Sequence, residues 1–129
     1  MPNFNGGCVC GTIRYEVSAK PIMMFNCHCR DCQRTTGGAF TPVVYVPAKA
    51  FKITKGSPRY YSTPSEMVGH NKRGFCPECG SRLFGGETEH GQGITASSLD
   101  ESELIQAESE YVDFRRAAVG AHGSELAEV

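Results

Sequence analysis

"CVCGTIRYEV", residues 8–17, joins two patterns in one short stretch. From Thr12 onward polar and apolar residues alternate. Ile13, Tyr15 and Val17 share one face, and Thr12, Arg14 and Glu16 the other, which is the pattern of a half-buried strand. Before it stand Cys8 and Cys10. In an extended segment, residues two apart point to the same side, so both sulfurs are expected to converge. A strand led in by a paired sulfur donor suits a small β domain that needs a cross-link beyond its own core.

The rest of the chain reads the same way. With 129 residues it is expected to form one domain. Hydrophobic residues make up 40% and charged residues 21%, an ordinary globular composition. Fifteen glycines and seven prolines favour turns and short strands over long helices. "IMMF" (22–25), "FTPVVYVP" (40–47), "FKITKG" (51–56), "RYYST" (59–63) and "MVGHNKRGF" (67–75) read as strands, and "GITASSL" (93–99) as a weak one. Pro42 places the start of the 40–47 strand at an edge. "RDCQRTT" (30–36) predicts one helical turn stopped by Gly37 and Gly38. "DESELIQAESEYVDF" (100–114) starts like a helix and ends like a strand. The expected architecture is mainly β: short antiparallel strands with at most short helical turns, an ordered core over about 4–114 and a flexible tail over 115–129.

Net charge is −1 and the pI about 6.4, so there is no general field to draw in nucleic acid or an acidic membrane. No apolar run approaches the roughly 18 residues of a membrane span. "MPNFNGGCVCG" lacks the basic and apolar regions of a signal peptide. A cytoplasmic location is the expectation.

Seven cysteines are an odd number for a disulfide scaffold, and close pairs without an export signal point to metal or redox chemistry. They fall into Cys8 and Cys10; Cys27, Cys29 and Cys32; and Cys76 and Cys79. Cys76-Pro77-Glu78-Cys79-Gly80 is a knuckle that converges two thiolates. Joined to Cys8 and Cys10 it makes four ligands, enough for a closed structural zinc. A disulfide or a thioredoxin-like redox pair is the competing reading of "CPEC". The "GSRLFGG" that follows does not form the helix such a motif needs.

Cys27, Cys29 and Cys32 offer three ligands. Three protein ligands with an open fourth position mark a catalytic zinc. Three thiolates on one zinc give a formal charge near −1, which weakens the ion towards water but still deprotonates a bound thiol. The site therefore suits a sulfur substrate better than hydrolysis. Alternatives remain at this level: His28 as a direct ligand or a supporting group, His70 or His90 as a distant fourth ligand, and a purely structural role. A zinc deaminase is excluded, because nothing suitable follows the single Cys-x-Glu at Cys76-Pro77-Glu78.

"GGCVCGTIRYEV" (6–17), "CHCRDCQRTTGGAF" (27–40) and "FCPECGSRLF" (75–84) together resemble, in order, the three signatures of the glutathione-dependent formaldehyde-activating enzyme family, to whose superfamily the centromere protein V family also belongs. The resemblance covers 6 to about 99. It implies a zinc-stabilised β-tent fold, a structural zinc on Cys8, Cys10, Cys76 and Cys79, and a second, functional zinc on Cys27, Cys29 and Cys32. Two Zn2+ ions per chain follow, with full occupancy expected only of the four-cysteine site. The implied activity joins formaldehyde to the thiol of glutathione, giving S-(hydroxymethyl)glutathione, which is a carbon–sulfur lyase run in reverse. The chain keeps Ser98-Leu99-Asp100 of a family segment but contains no Trp, so the C-terminal part of the substrate pocket is expected to differ.

On this reading the partner is a small thiol, with no nucleic acid and no membrane. Arg30, Gln33 and Arg34 are the expected contacts to it, since an arginine fork pairs bidentately with carboxylate. Thr35 and Thr36 serve as further contacts or cap the turn before Gly37. Phe40 and Phe75 are expected in the core. Asp31 and His28 are the nearest groups for proton transfer. Two other functions compete: a non-catalytic zinc module binding protein or nucleic acid through the basic "HNKRGF" (70–75), and a thiol redox sensor using Cys27, Cys29 and Cys32.

Overall fold

A computed structural model describes residues 4–65, 69–101 and 109–111. Among the described residues, ten strands form two sheets and one short α-helix accompanies them. The smaller sheet holds β1 (Phe4–Gly7), β2 (Arg14–Val17) and β5 (Phe51–Lys55), in the order β1-β2-β5. The larger contains β3 (Met23–Cys27), β4 (Thr41–Pro47), β6 (Arg59–Ser65), β7 (Gly69–Phe75), β8 (Arg82–Gly85), β9 (Gly91–Thr95) and β10 (Ser109–Tyr111). Its order is β10-β3-β4-β9-β8-β7-β6. All pairs are antiparallel except β10 with β3. The mainly β expectation holds. Among the described residues no helix is long and apolar enough to cross a membrane.

The alternation in β2 positions the core. Ile13, Tyr15 and Val17 are buried and pack with Val44 and Val46 of β4, Leu83 and Phe84 of β8 and Ile94 of β9. Phe84 meets Tyr15 and Phe51 edge-on, with ring centroids 5.5 and 5.2 Å away, the favoured aromatic arrangement. The Tyr15 hydroxyl is 2.6 Å from Ser98 Oγ, so its polar end is not orphaned in the core. Ser98 to Asp100 fold back on the small sheet: Leu99 bridges Gly6, the Asp100 amide donates to Asn5 O, and Arg14 pairs with the Asp100 carboxylate. This segment ties the small sheet to the chain's later part.

Several expectations change. β1 was not foreseen, because "FNGG" has no alternation. It exists by pairing with β2, Phe4 opposite Val17. β4 is a central strand, flanked by β3 and β9. Its pairing with β9 starts at Val43, so only Thr41 and Pro42 extend past that neighbour, and the proline removes no hydrogen bond from the ladder between them. "GITASSL" divides into the end of β9 and a 3-10 turn over Ala96–Ser98. Phe40 is 40% exposed and Phe75 half-buried, so neither belongs to the core cluster. Of "DESELIQAESEYVDF", residues 102–108 and 112–114 lie outside the described residues, as does the 115–129 tail.

Candidate metal centres and substrate site

The helix α1 (Arg30–Thr36) is short because both its ends are chemically marked. Cys29 is its N-cap, and the Cys29 sulfur accepts the Cys32 amide at 3.3 Å. Gly37 ends it in the left-handed region, φ 74, which glycine adopts without a Cβ clash. Thr36 Oγ1 donates to Cys32 O at 2.7 Å and accepts from the Gly38 amide at 3.2 Å, so Thr36 does cap this turn.

The cysteines gather into two groups. In each, the sulfurs lie within 4.8 Å of one another, and either group could hold a metal ion. The first is Cys8, Cys10, Cys76 and Cys79. Cys8 and Cys10 sit in a turn, where the Gly11 amide donates to Cys8 O at 3.1 Å, rather than in the extended segment expected. Their sulfurs still meet, 3.6 Å apart, and Cys10 lies 3.8 Å from Cys76. Metal–sulfur bonds of about 2.3 Å at tetrahedral angles put sulfurs roughly 3.8 Å apart, so the spacing fits zinc. The knuckle is closed by the Gly80 amide on Cys76 O at 2.8 Å, with Gly80 at φ 77. Backbone amides point at the sulfurs, Ile13 to Cys8 at 3.2 Å and Glu78 to Cys76 at 3.4 Å, as befits thiolates. Burial pushes the Cys8 thiol up, but the Ile13 amide and neighbouring sulfurs outweigh it and the net shift is down. Ser81, then the surrounding amides, lowers Cys79 to about 5, while burial raises Cys76 to about 11.

The second group is Cys27, Cys29 and Cys32. Cys27 ends β3 opposite Thr41 of β4, Cys29 caps α1, and Cys32 points inward from its first turn, 5% exposed. Hydrogen bonding with Cys29 and Cys32, then burial, raises the Cys27 thiol. The same contacts from Cys27 and Cys29, helped by Thr41 and Arg73, lower Cys32. Crowded sulfurs titrate as a set, so these opposed shifts belong to the group of three. Thr41 Oγ1 is buried and makes no hydrogen bond within normal limits, despite that influence on Cys32. Among the described residues no histidine or carboxylate joins either group. His28 lies against Phe40, ring centroids 5.1 Å apart; His70 is exposed on β7; His90 is exposed beside Glu89.

Arg30 and Arg34 are exposed on α1. Arg30 donates to Gln33 Oε1 at 3.3 Å, and Gln33 Nε2 to Ala39 O at 3.0 Å. Two arginines that the sequence did not single out as site residues meet the three-cysteine group and its helix. Arg73 Nη1 donates to Cys32 Sγ at 3.6 Å. Arg82 donates to Thr35 Oγ1 on α1 and feels the charges of all three cysteines. "HNKRGF" is therefore not one basic patch: His70 and Lys72 face solvent while Arg73 turns inward. The strand alternation of 67–75 was the available signal, since it sets Arg73 on the face opposite Lys72.

Comparison with known proteins adds to this geometry. A crystal structure of a Rhodobacter sphaeroides protein has the same fold, with a TM-score of 0.64 and 17% identity, covering 82% of this chain and 98% of that one. The sequence model of the family described as glutathione-dependent formaldehyde-activating enzyme matches residues 3–113, which takes in both cysteine groups and all ten described strands. The chain thus belongs to the glutathione-dependent formaldehyde-activating enzyme family.

Proposed function

We propose that the chain is a zinc-dependent enzyme of the carbon–sulfur lyase type, acting on a thiol such as glutathione and a small aldehyde to form an S-(hydroxymethyl) adduct. The observation that carries this is the division of the sulfurs. Four lie close enough together to hold one ion by themselves, which leaves a separate set of three beside buried positive charge. In this reading Cys8, Cys10, Cys76 and Cys79 hold a structural ion, and Cys27, Cys29 and Cys32 hold the second.

When bound at the three-cysteine site, zinc supplies the positive centre that keeps an incoming thiol as thiolate, the nucleophilic form of sulfur. The chain's own residues orient the reactants. Cys27 ends β3, Cys29 caps α1 and Cys32 lies in its first turn, so regular elements fix the three sulfurs and with them the place of the reacting sulfur. Arg30 and Arg34, exposed on α1, with Gln33 between them, are available for the carboxylates of a tripeptide thiol. The substrate sulfur forms the new bond to the carbonyl carbon. The carbonyl π pair moves to oxygen, which takes a proton from water, and the thiol proton leaves to solvent.

The test is to mix purified protein with glutathione and formaldehyde and to follow their exchange by NMR. Exchange several-fold faster than in buffer, lost in Cys29→Ser, is the expected result. A rate equal to the uncatalysed one refutes the proposal.

A further inference from the structure

Arg73 is 4% exposed. Its Nε donates to Thr63 Oγ1 at 3.0 Å and its Nη1 to Cys32 Sγ at 3.6 Å. Among the described residues no carboxylate pairs with it, the ion pairs there being made by Arg14, Lys72 and His90. A buried charge is tolerated only where an opposite charge offsets its lost hydration. The group placed against Arg73 is a sulfur of the three-cysteine set. Arg82 stands on the adjacent strand β8, and its Nε is buried with no hydrogen-bond partner. Burial, then the charge of Arg73, push the Arg82 guanidinium down, and the three sulfurs pull it back up. Two guanidiniums thus line the same site, Arg73 against Cys32 and Arg82 against Thr35 of α1, a placement of positive charge that suits concentrated negative charge beside it.

We propose that Arg73 and Arg82 form a cationic wall on the three-cysteine site that makes it prefer an anionic sulfur ligand over a neutral one, Arg73 acting as a positioning residue through Cys32. This deepens the thiol reading and rests on it. Three thiolates with a divalent ion carry a formal charge of about −1, and an added thiolate makes it about −2. Two guanidiniums bring the whole buried assembly to neutrality. With a neutral ligand the same assembly would keep an uncompensated positive charge. The wall therefore selects by charge, where Arg30 and Arg34 would select by the shape of the distant carboxylates.

Cobalt-substituted protein tests this without any turnover. The probes are 2-mercaptoethanol, whose only ionisable group is its sulfur, and imidazole as a neutral ligand, each titrated while the visible spectrum is read. Arg73→Gln is expected to weaken thiol binding ten- to a hundred-fold, the usual cost of losing a group that supports a metal ligand. Imidazole affinity should change less than three-fold, and Arg73→Lys should recover most of the thiol binding. Arg82→Gln, which perturbs a less enclosed side chain, gives the same comparison if Arg73→Gln does not fold by circular dichroism. Equal loss of both ligands, or no change in either, overturns the inference while normal thiol binding by the unaltered protein leaves the thiol reading standing. Failure of the unaltered protein to bind either 2-mercaptoethanol or glutathione through sulfur overturns both.

Discussion

Replacing one sulfur in each group separates structural support from function. Cys10→Ser is the cleaner change in the four-cysteine group, because Cys10 is exposed and its loss opens no cavity in the core. Cys10 and Cys76 are 66 residues apart in sequence, and their sulfurs lie 3.8 Å apart. Treated as a cross-link, a bridge closing a loop of that length removes ~4 kcal/mol of unfolded-chain entropy. That is a large part of the 5–15 kcal/mol or so by which native domains are stable. The three-cysteine group runs only from Cys27 to Cys32, across the start of α1, and ties down no distant stretch of chain. Cys29→Ser also preserves the helix cap, since serine is a favoured N-cap residue. Cys10→Ser is therefore expected to lower the melting temperature by on the order of 15 °C, at a few degrees per kcal/mol for a chain of this size. Cys29→Ser is expected to melt within a few degrees of the unaltered protein and to lose one of two metal ions per chain. The assay is thermal unfolding by circular dichroism, with metal counted after gel filtration. If Cys10→Ser melts like the unaltered protein, or Cys29→Ser falls as far as Cys10→Ser, the division into a structural and a functional group is wrong.

Asp100→Asn should remove a pH-dependent contribution. The Arg14 guanidinium holds the Asp100 carboxyl below its ordinary value, so the stabilisation is present above the unfolded carboxyl range and is lost as pH falls through the folded one. Both partners are partly exposed, which limits the effect to ~0.2–1 kcal/mol. The deficit of the variant in urea unfolding should therefore be visible at pH 7, smaller in high salt and absent in strong acid; a deficit that persists in acid contradicts this origin. Gly93→Ala would drive a Cβ into Gly85 O across the β8–β9 pair, a backbone atom that cannot swing away. A loss of about 1–3 kcal/mol is expected from overpacking, measured by the denaturant midpoint, and an unchanged midpoint would contradict the close approach. If Arg34 reads a substrate carboxylate, Arg34→Ala should raise KM for glutathione several-fold and leave kcat and the melting temperature in place; a fall in kcat alone would give it a different role.

Much of the fold was legible because it is written in local patterns. The 30–36 turn coincides with α1, and the 40–47 and 51–56 strands with β4 and β5, within a residue at each end. Alternation and a glycine stop act over a few residues and need no knowledge of distant chain. The grouping of the seven cysteines was legible for the same reason, since C-x-C and C-x-x-C spacings constrain where sulfurs point. β1 was not, because two glycines carry no pattern and only β2 makes that stretch a strand.

The surroundings of the three-cysteine group belong to the tertiary structure. Arg73 stands 41 residues from Cys32, and Arg82 stands 47 from Thr35. Alternation separates the face of Arg73 from that of Lys72, but nothing in "HNKRGF" or "GSRLFGG" says that either strand lies against a sulfur. That is decided by the strand order β3-β4-β9-β8-β7, which places β7 and β8 where their inward side chains reach α1. Sequence alone determined which neighbouring sulfurs converge, because covalent spacing limits their geometry, while the fold brings Cys10 to Cys76 across 66 residues. Only the folded sheet decided which charges face them, because long-range pairing brings those residues together and burial strips them of water.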